Sequence, residues 1–194
     1  MKIIRKLYDW VLHWANTKYG PVALFLLAFA ESSFFPIPPD VMLAPMALAK
    51  PHYAWRFALL TTLTSVLGGV FGYLIGYFLF ETLHIAELLH QFGHWDSYLT
   101  TQAWFQRWGF WAVFLAGFSP IPYKVFTITA GVVSMMLIPF VLASLIGRGA
   151  RFFLVAAFMC WGGPRMEVVL RANIDRLGWL TVLAAAIAYF LLKQ

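Results

Sequence analysis

The sequence predicts an all-α polytopic membrane protein: an inverted repeat of a re-entrant helical hairpin plus a transmembrane helix, preceded by an N-terminal amphipathic interfacial helix. Three observations predict it. Of 194 residues, 62% are hydrophobic and 11% charged, whereas soluble domains carry about 25% charged and roughly 45–50% apolar residues. Two apolar runs are long enough to cross a bilayer, and two others are cut short by proline clusters. The two proline clusters resemble each other, and each precedes one of the long runs. Nine Trp and eight Tyr suit a chain with two membrane interfaces to anchor. The net charge of +6 is spread over loops, which points to anionic headgroups as partners and not to nucleic acid. The single cysteine, Cys160, excludes an internal disulfide and a thiolate metal cluster.

In chain order, residues 1–19 form the interfacial helix. Ile3, Ile4, Leu7, Trp10, Val11 and Trp14 recur at three- and four-residue spacing, with Lys2, Arg5, Lys6 and Lys18 off that stripe. Such a helix lies on a membrane surface or packs on the protein's own loops. No small-residue cleavage site follows the apolar run that begins near Pro21, so the N-terminus is expected to be retained.

Residues 20–80 form the first repeat. The run Val22 to Phe35 stops at Pro36-Ile37-Pro38-Pro39, and a spanning helix follows from Trp55 to Phe80. Residues 81–107 connect on the outer face. Residues 108–161 form the second repeat, in which Trp108 to Ser119 stops at Pro120-Ile121-Pro122 and Leu137 to Trp161 spans. Each limb before a proline cluster holds about 12 to 14 residues, or some 18–21 Å, short of a hydrocarbon core about 30 Å thick. Pro36, Pro38, Pro39, Pro120 and Pro122 are therefore read as hairpin turns inside the membrane. Irregular backbone at that depth is tolerated only against protein or a wet cavity. Residues 162–194 supply a basic loop and a last apolar run, Leu177 to Leu192, which either spans or lies between other helices.

The halves match in two places. Pro36-Ile37-Pro38-Pro39-Asp40-Val41 recurs as Pro120-Ile121-Pro122-Tyr123-Lys124-Val125, and Ser65-Val66-Leu67-Gly68-Gly69 as Ser144-Leu145-Ile146-Gly147-Arg148. With one span between them, the second half is expected to be inverted, as in many transporters. Loop charges agree. Lys2, Arg5, Lys6, Lys18, Lys50, Arg56, Arg165, Arg171 and Arg176 mark the cytoplasmic side, and Glu81, Glu87 and Asp96 the outer side. The first hairpin then opens from the cytoplasm and the second from outside.

Glu31, Asp40, Lys124, Arg148 and Arg151 sit inside apolar segments. A charge at the bilayer centre costs at least about 2.5–3.5 kcal/mol, so these groups should face inward, pair, and mark a pathway. Ion pairs that merely hold helices in register are the competing reading. Arg148 and Arg151 share a helix face and together could grip a phosphate. The glycines Gly68, Gly72 and Gly76 read as helix-packing contacts. Glu87, His90 and His94 are poorly placed for a metal, since Gly93 weakens their helix. Ser119 and Lys124 lack a third orienting group for nucleophilic catalysis. Neither a cofactor nor a metal is expected.

Glu31 followed by Phe35-Pro36-Ile37-Pro38-Pro39, Gly72 and Gly76 in the following span, and Phe118-Ser119-Pro120 leading to Ala130-Gly131 resemble the DedA family. That family is also called the VTT or SNARE-associated domain, and the similarity is nearest to its YqaA-like branch. It covers roughly residues 20–192. It implies a multi-pass protein of the bacterial cytoplasmic membrane with two opposed re-entrant hairpins. It also implies movement of polyprenyl phosphate or phospholipid between leaflets, often tied to the proton motive force. Glu31 matches the first acid of the family motif and Asp40 its second. Where other branches carry Arg-Phe-x-Pro-x-x-Arg, this chain has Gly117-Phe118-Ser119-Pro120-Ile121-Pro122-Tyr123 and then Lys124. Cationic work is thereby shifted to Lys124, Arg148 and Arg151, or the substrate differs.

The expected function is a lipid-phosphate transporter with a cytoplasmic N-terminus. Lys124, Arg148 and Arg151 would bind the headgroup while the tail stays in lipid. Glu31 and Asp40 would carry protons, since burial without a cation favours a neutral carboxyl. A proton moving with the field gains about 2.3 kcal/mol per 100 mV. A membrane enzyme acting on lipid phosphates, or a structural or assembly protein, are the alternatives. Membrane lipids and protons are the expected partners, and homo-oligomerisation is left open.

Overall fold

The computed structural model describes residues 17, 19–35, 37–119 and 121–162. The interfacial helix expected over 1–19, Pro36 and Pro120, and the loop and last run expected over 162–194 lie outside them, apart from residues 17, 19 and 162. The described elements are helical: α1 (Gly20–Ser33), α2 (Asp40–Ala49), a 3-10 turn (Pro51–Tyr53), α3 (Ala54–Thr82), α4 (Ile85–Gln91), α5 (Trp95–Phe118), α6 (Tyr123–Val132) and α7 (Leu137–Gly162).

The long helices match the expected spans to within about two residues, because an unbroken apolar run fixes both ends. α3 has 29 residues and α7 has 26, so each exceeds the roughly 20 residues a bilayer requires. α1 has 14 and α2 has 10, so neither reaches that length. The second limb is longer than expected: α5 begins at Trp95 and runs for 24 residues. Its first half carries Ser97, Thr100, Thr101, Gln102, Gln106 and Arg107, which interrupt an apolar run without breaking a helix. Thr100 and Thr101 return their hydroxyls to the Asp96 and Ser97 carbonyls.

Packing sets the direction of each limb. Phe29 of α1 lies against Gly68 of α3, and the Ser32 carbonyl against Gly72, so α1 runs parallel to α3. It ends midway along, where Ser33 Oγ donates to the Gly68 carbonyl at 2.9 Å. α2 returns to the start of α3. In the second half Gly109 meets Met135, Gly147 meets Phe114 and Gly117 meets Arg148, so α5 runs parallel to α7 and ends halfway along it. α6 leaves that level beside α3, with Tyr123 at Gly69, Thr127 at Gly72 and Ile128 at Gly76. The Cys160 thiol reaches the Pro51 carbonyl, and the Tyr73 hydroxyl the Met135 carbonyl at 2.7 Å. α3 and α7 are therefore antiparallel. α1 and α5 each run alongside the long helix of their own half and end near its middle, although α5, at 24 residues, is itself long enough to cross a bilayer, unlike the limb of about 12 residues expected from the sequence.

Two apolar cores result. Leu24, Met42, Leu43, Met46, Phe57, Phe152, Ala156 and Met159 fill one end, and Tyr73, Phe105, Val113, Val133, Met135 and Phe140 the other. The outer surface is apolar too. α3 exposes Leu59, Leu63, Leu67, Phe71 and Phe78 while burying Thr61, Thr62, Ser65, Gly68 and Gly72. A water-soluble helix does the reverse. The buried threonine hydroxyls are satisfied locally, Thr61 by the Phe57 carbonyl and Thr62 by the Ala58 carbonyl, both at 2.7 Å. α3 packs on α1 and α6 through Gly68, Gly72 and Gly76, where small residues let backbones approach.

Candidate functional site

Between the two cores, at the level of both proline turns, lies a band of polar side chains. Glu31 and Ser32 come from the end of α1, Asp40 from the start of α2, and Ser65 from the middle of α3. Across from them stand Ser119 at the end of α5, Tyr123 and Lys124 at the start of α6, and Ser144, Arg148 and Arg151 from α7. Both acids belong to the first half of the chain and all three bases to the second. Each ion pair therefore joins the halves.

Arg148 pairs with Glu31 and Arg151 with Asp40. Arg148 is 2% exposed and Glu31 14%. Its Nε donates to Ser65 Oγ at 2.5 Å and its Nη2 to Ser32 Oγ at 3.0 Å, while Ser32 and Ser65 share a hydrogen bond of 2.6 Å. The guanidinium lies between the rings of Tyr123 and Phe152, 4.8 Å from each centroid. One ring belongs to each core, so the cation bridges them. Tyr123 in turn donates to Ser144 Oγ at 2.5 Å, and Ser144 to the Phe140 carbonyl at 2.7 Å. Buried polar groups tolerate so dry a place only when saturated in this way.

The second pair is more open. Asp40 and Arg151 are 22% and 21% exposed. Arg151 Nη1 also donates to the Ser119 carbonyl at 2.7 Å. Lys124 Nζ reaches the Phe35 carbonyl at 3.3 Å and makes no ion pair among the described residues. Two atoms here are buried without a hydrogen-bond partner among the described residues, Asp40 Oδ1 and Ser119 Oγ.

All five ionisable residues singled out in the sequence thus meet in one band. Pro39 is buried in the first turn, whereas Pro38 and Pro122 are exposed. Arg148, 2% exposed, directs Nε and Nη2 to Ser65, Glu31 and Ser32, which leaves Arg151 and Lys124 as the more open cations of the band. Sequence reasoning missed the hydroxyl partners. A signal for two of them was present in the repeat, since Ser65 and Ser144 each precede by three a glycine packed on the first limb of its own half, Gly68 on Phe29 and Gly147 on Phe114. Away from the band, Glu87 lies 3.7 Å from His84, and His90 stacks on Trp95.

A helical fold whose long helices turn apolar faces outward and small polar residues inward, around ion pairs between its halves, is that of a membrane protein. The chain belongs to the VTT-domain family, also known as DedA, whose model matches residues 37–160. It is 45% identical to an uncharacterized protein of Haemophilus influenzae over 194 residues, covering all of both chains. A homologue from Histophilus somni is also 45% identical, over 193 residues and the whole of both chains. Undecaprenyl phosphate transporter A of Staphylococcus aureus is 27% identical over 139 residues, 68% of each chain. No solved structure matches.

Proposed function

We propose that this protein moves lipid phosphates, polyprenyl phosphate or phospholipid, between the leaflets of the bacterial cytoplasmic membrane, with protons as the coupling ion. The observation that carries this reading is the band of cross-half ion pairs at the tips of both limbs. A headgroup cannot cross hydrocarbon unaided, because desolvating its charge costs far more than thermal energy. Cations held where irregular backbone meets at mid-depth answer that need. The name of the Staphylococcus aureus relative gives the same substrate class.

In this mechanism Arg148 and Glu31 hold the halves together, and Arg151 and Lys124 meet the headgroup. A phosphate that draws Arg151 away leaves Asp40 without its cation, the condition under which a buried acid takes up a proton. Glu31 undergoes the same exchange whenever Arg148 moves. Arg suits the headgroup role because its planar fork gives two hydrogen bonds to one phosphate. A catalytic reading draws less support: Ser119 Oγ makes no hydrogen bond to Lys124 or to any other described group.

Binding tests the headgroup role. Polyprenyl phosphate added to purified protein should raise its melting temperature, and the corresponding polyprenol should not. A ligand present at 100 times its Kd stabilises by about 2.7 kcal/mol. Equal shifts from phosphate and alcohol would remove the headgroup from the reading.

The opposed orientation of the hairpins is proposed from the parallel packing of each limb on its own long helix, together with the loop charges. His52 and Ser97 are both exposed, near the start of α3 and of α5. With Cys160 replaced, a cysteine at His52 should react with an impermeant thiol reagent only from the cytoplasm, and one at Ser97 only from outside. Reaction of both from one side contradicts the topology.

A further inference from the structure

Most polar atoms of the charged band are satisfied, which makes the exceptions informative. Asp40 Oδ1 and Ser119 Oγ are buried and have no partner among the described residues, although leaving such an atom unpaired away from water is costly. Both belong to residues held by one guanidinium: Arg151 Nη2 takes the other oxygen of Asp40, and Nη1 takes the carbonyl of Ser119. The first is an acceptor with no donor. The second is a hydroxyl that can donate or accept. They come from opposite halves of the chain, one beside each proline turn. In the same band lies Lys124, whose Nζ donates to the Phe35 carbonyl at 3.3 Å and so ties the start of α6 to the first turn.

The group that fits this set carries negative oxygens for Arg151, Lys124 and the Ser119 hydroxyl, and also one hydrogen-bond donor for Asp40 Oδ1. A phosphate monoester in its singly ionised form has both, since one of its oxygens is P–OH. A phosphodiester has none: its two remaining oxygens share the charge, and its ester oxygens carry carbon. Against Asp40 Oδ1 it would set lone pairs against lone pairs. We infer that Asp40 Oδ1, a bare acceptor set among the donors of Arg151 and Ser119, makes the headgroup site selective for phosphate monoesters over phosphodiesters. This rests on the lipid-phosphate reading and adds to it the residue that sets specificity. No bond to phosphorus is made or broken. The P–OH proton shared with Asp40 is the one its carboxylate takes up as the headgroup draws Arg151 away, so proton and charge both balance.

Phosphatidic acid and phosphatidylmethanol of identical acyl chains, the second a phosphodiester whose headgroup carries no donor, are the probes, titrated at pH 7 into purified protein with thermal stabilisation as the readout. The parent should bind phosphatidic acid about tenfold or more tightly, the discrimination expected of a hydrogen bond to a charged group. Asp40→Asn should bring the ratio towards one, whereas Ser119→Ala should weaken both lipids and leave the ratio as it is, because its hydroxyl meets an oxygen that both carry. Melting temperature without lipid reports whether each variant is folded, and the parent's own ratio decides the matter if Asp40→Asn is not. A parent that binds both lipids equally overturns the selectivity while leaving the lipid-phosphate reading in place. So does a ratio unchanged in folded Asp40→Asn. A parent stabilised by neither lipid overturns both.

Discussion

Arg148→Met is expected to lower the melting temperature of the purified protein by roughly ten degrees or more, the equivalent of about 3–5 kcal/mol. Methionine fills much of the space between Tyr123 and Phe152, so lost volume is a small part of the effect. What remains is Glu31, 14% exposed, with no cation beside it. Ser32 and Ser65 lose their donor at the same moment. Arg148→Lys should fall between parent and Arg148→Met, because an ammonium keeps the charge but cannot reach Glu31, Ser32 and Ser65 together. Adding Glu31→Gln to Arg148→Met should recover much of the loss, since a neutral amide removes the orphaned charge. If Arg148→Met melts like the parent, the pair does not hold the halves together.

Gly131→Leu should be about as damaging, by a different route. A Cβ on Gly131 would overlap the carbonyl of Tyr73, and one on Gly76 the carbonyl of Ile128. α3 and α6 thus approach backbone to backbone, and neither obstacle can rotate away. Overpacking a core costs about 1–3 kcal/mol, and more where nothing yields. We expect Gly131→Leu to separate α6 from α3 and to fail to accumulate as a monodisperse protein in detergent. Gly149→Ala is the matched control: its Cβ would meet only Thr62 Cγ2, at 3.5 Å. It should stabilise by about 0.5–1 kcal/mol, the gain of Ala over Gly inside a helix. Equal behaviour of the two variants would show that the close approach is not needed.

Much of this architecture is legible in the sequence because a bilayer leaves few options. An unbroken apolar run fixed both long helices, and prolines fixed the limb ends at Ser33 and Phe118. The start of α5 was hidden, since its polar first half looks like a connector until its helix-compatible residues are seen to run on from Trp95. The five charges were legible as a group, being too costly in lipid to lie apart. Which acid meets which base was not: Glu31 and Arg148 are 117 positions apart, and Asp40 and Arg151 111. Only the packing of limbs on long helices joins them. The hydroxyls were least legible, because a serine in an apolar run reads the same whether it bonds back to its own helix, as Ser144 does to the Phe140 carbonyl, or takes a hydrogen bond from a buried arginine, as Ser65 does.

Transport of labelled polyprenyl phosphate in liposomes holding the purified protein tests the central claim most directly. Label in the inner leaflet should reach an outer-leaflet phosphatase faster than in empty liposomes, and Arg151→Met should slow it by about tenfold or more, the loss of one charged hydrogen-bonding partner. An imposed proton gradient should change the parent's rate. Transfer no faster than in empty liposomes, from protein that is folded and correctly oriented, would contradict the account and leave the ion pairs as ties between helices.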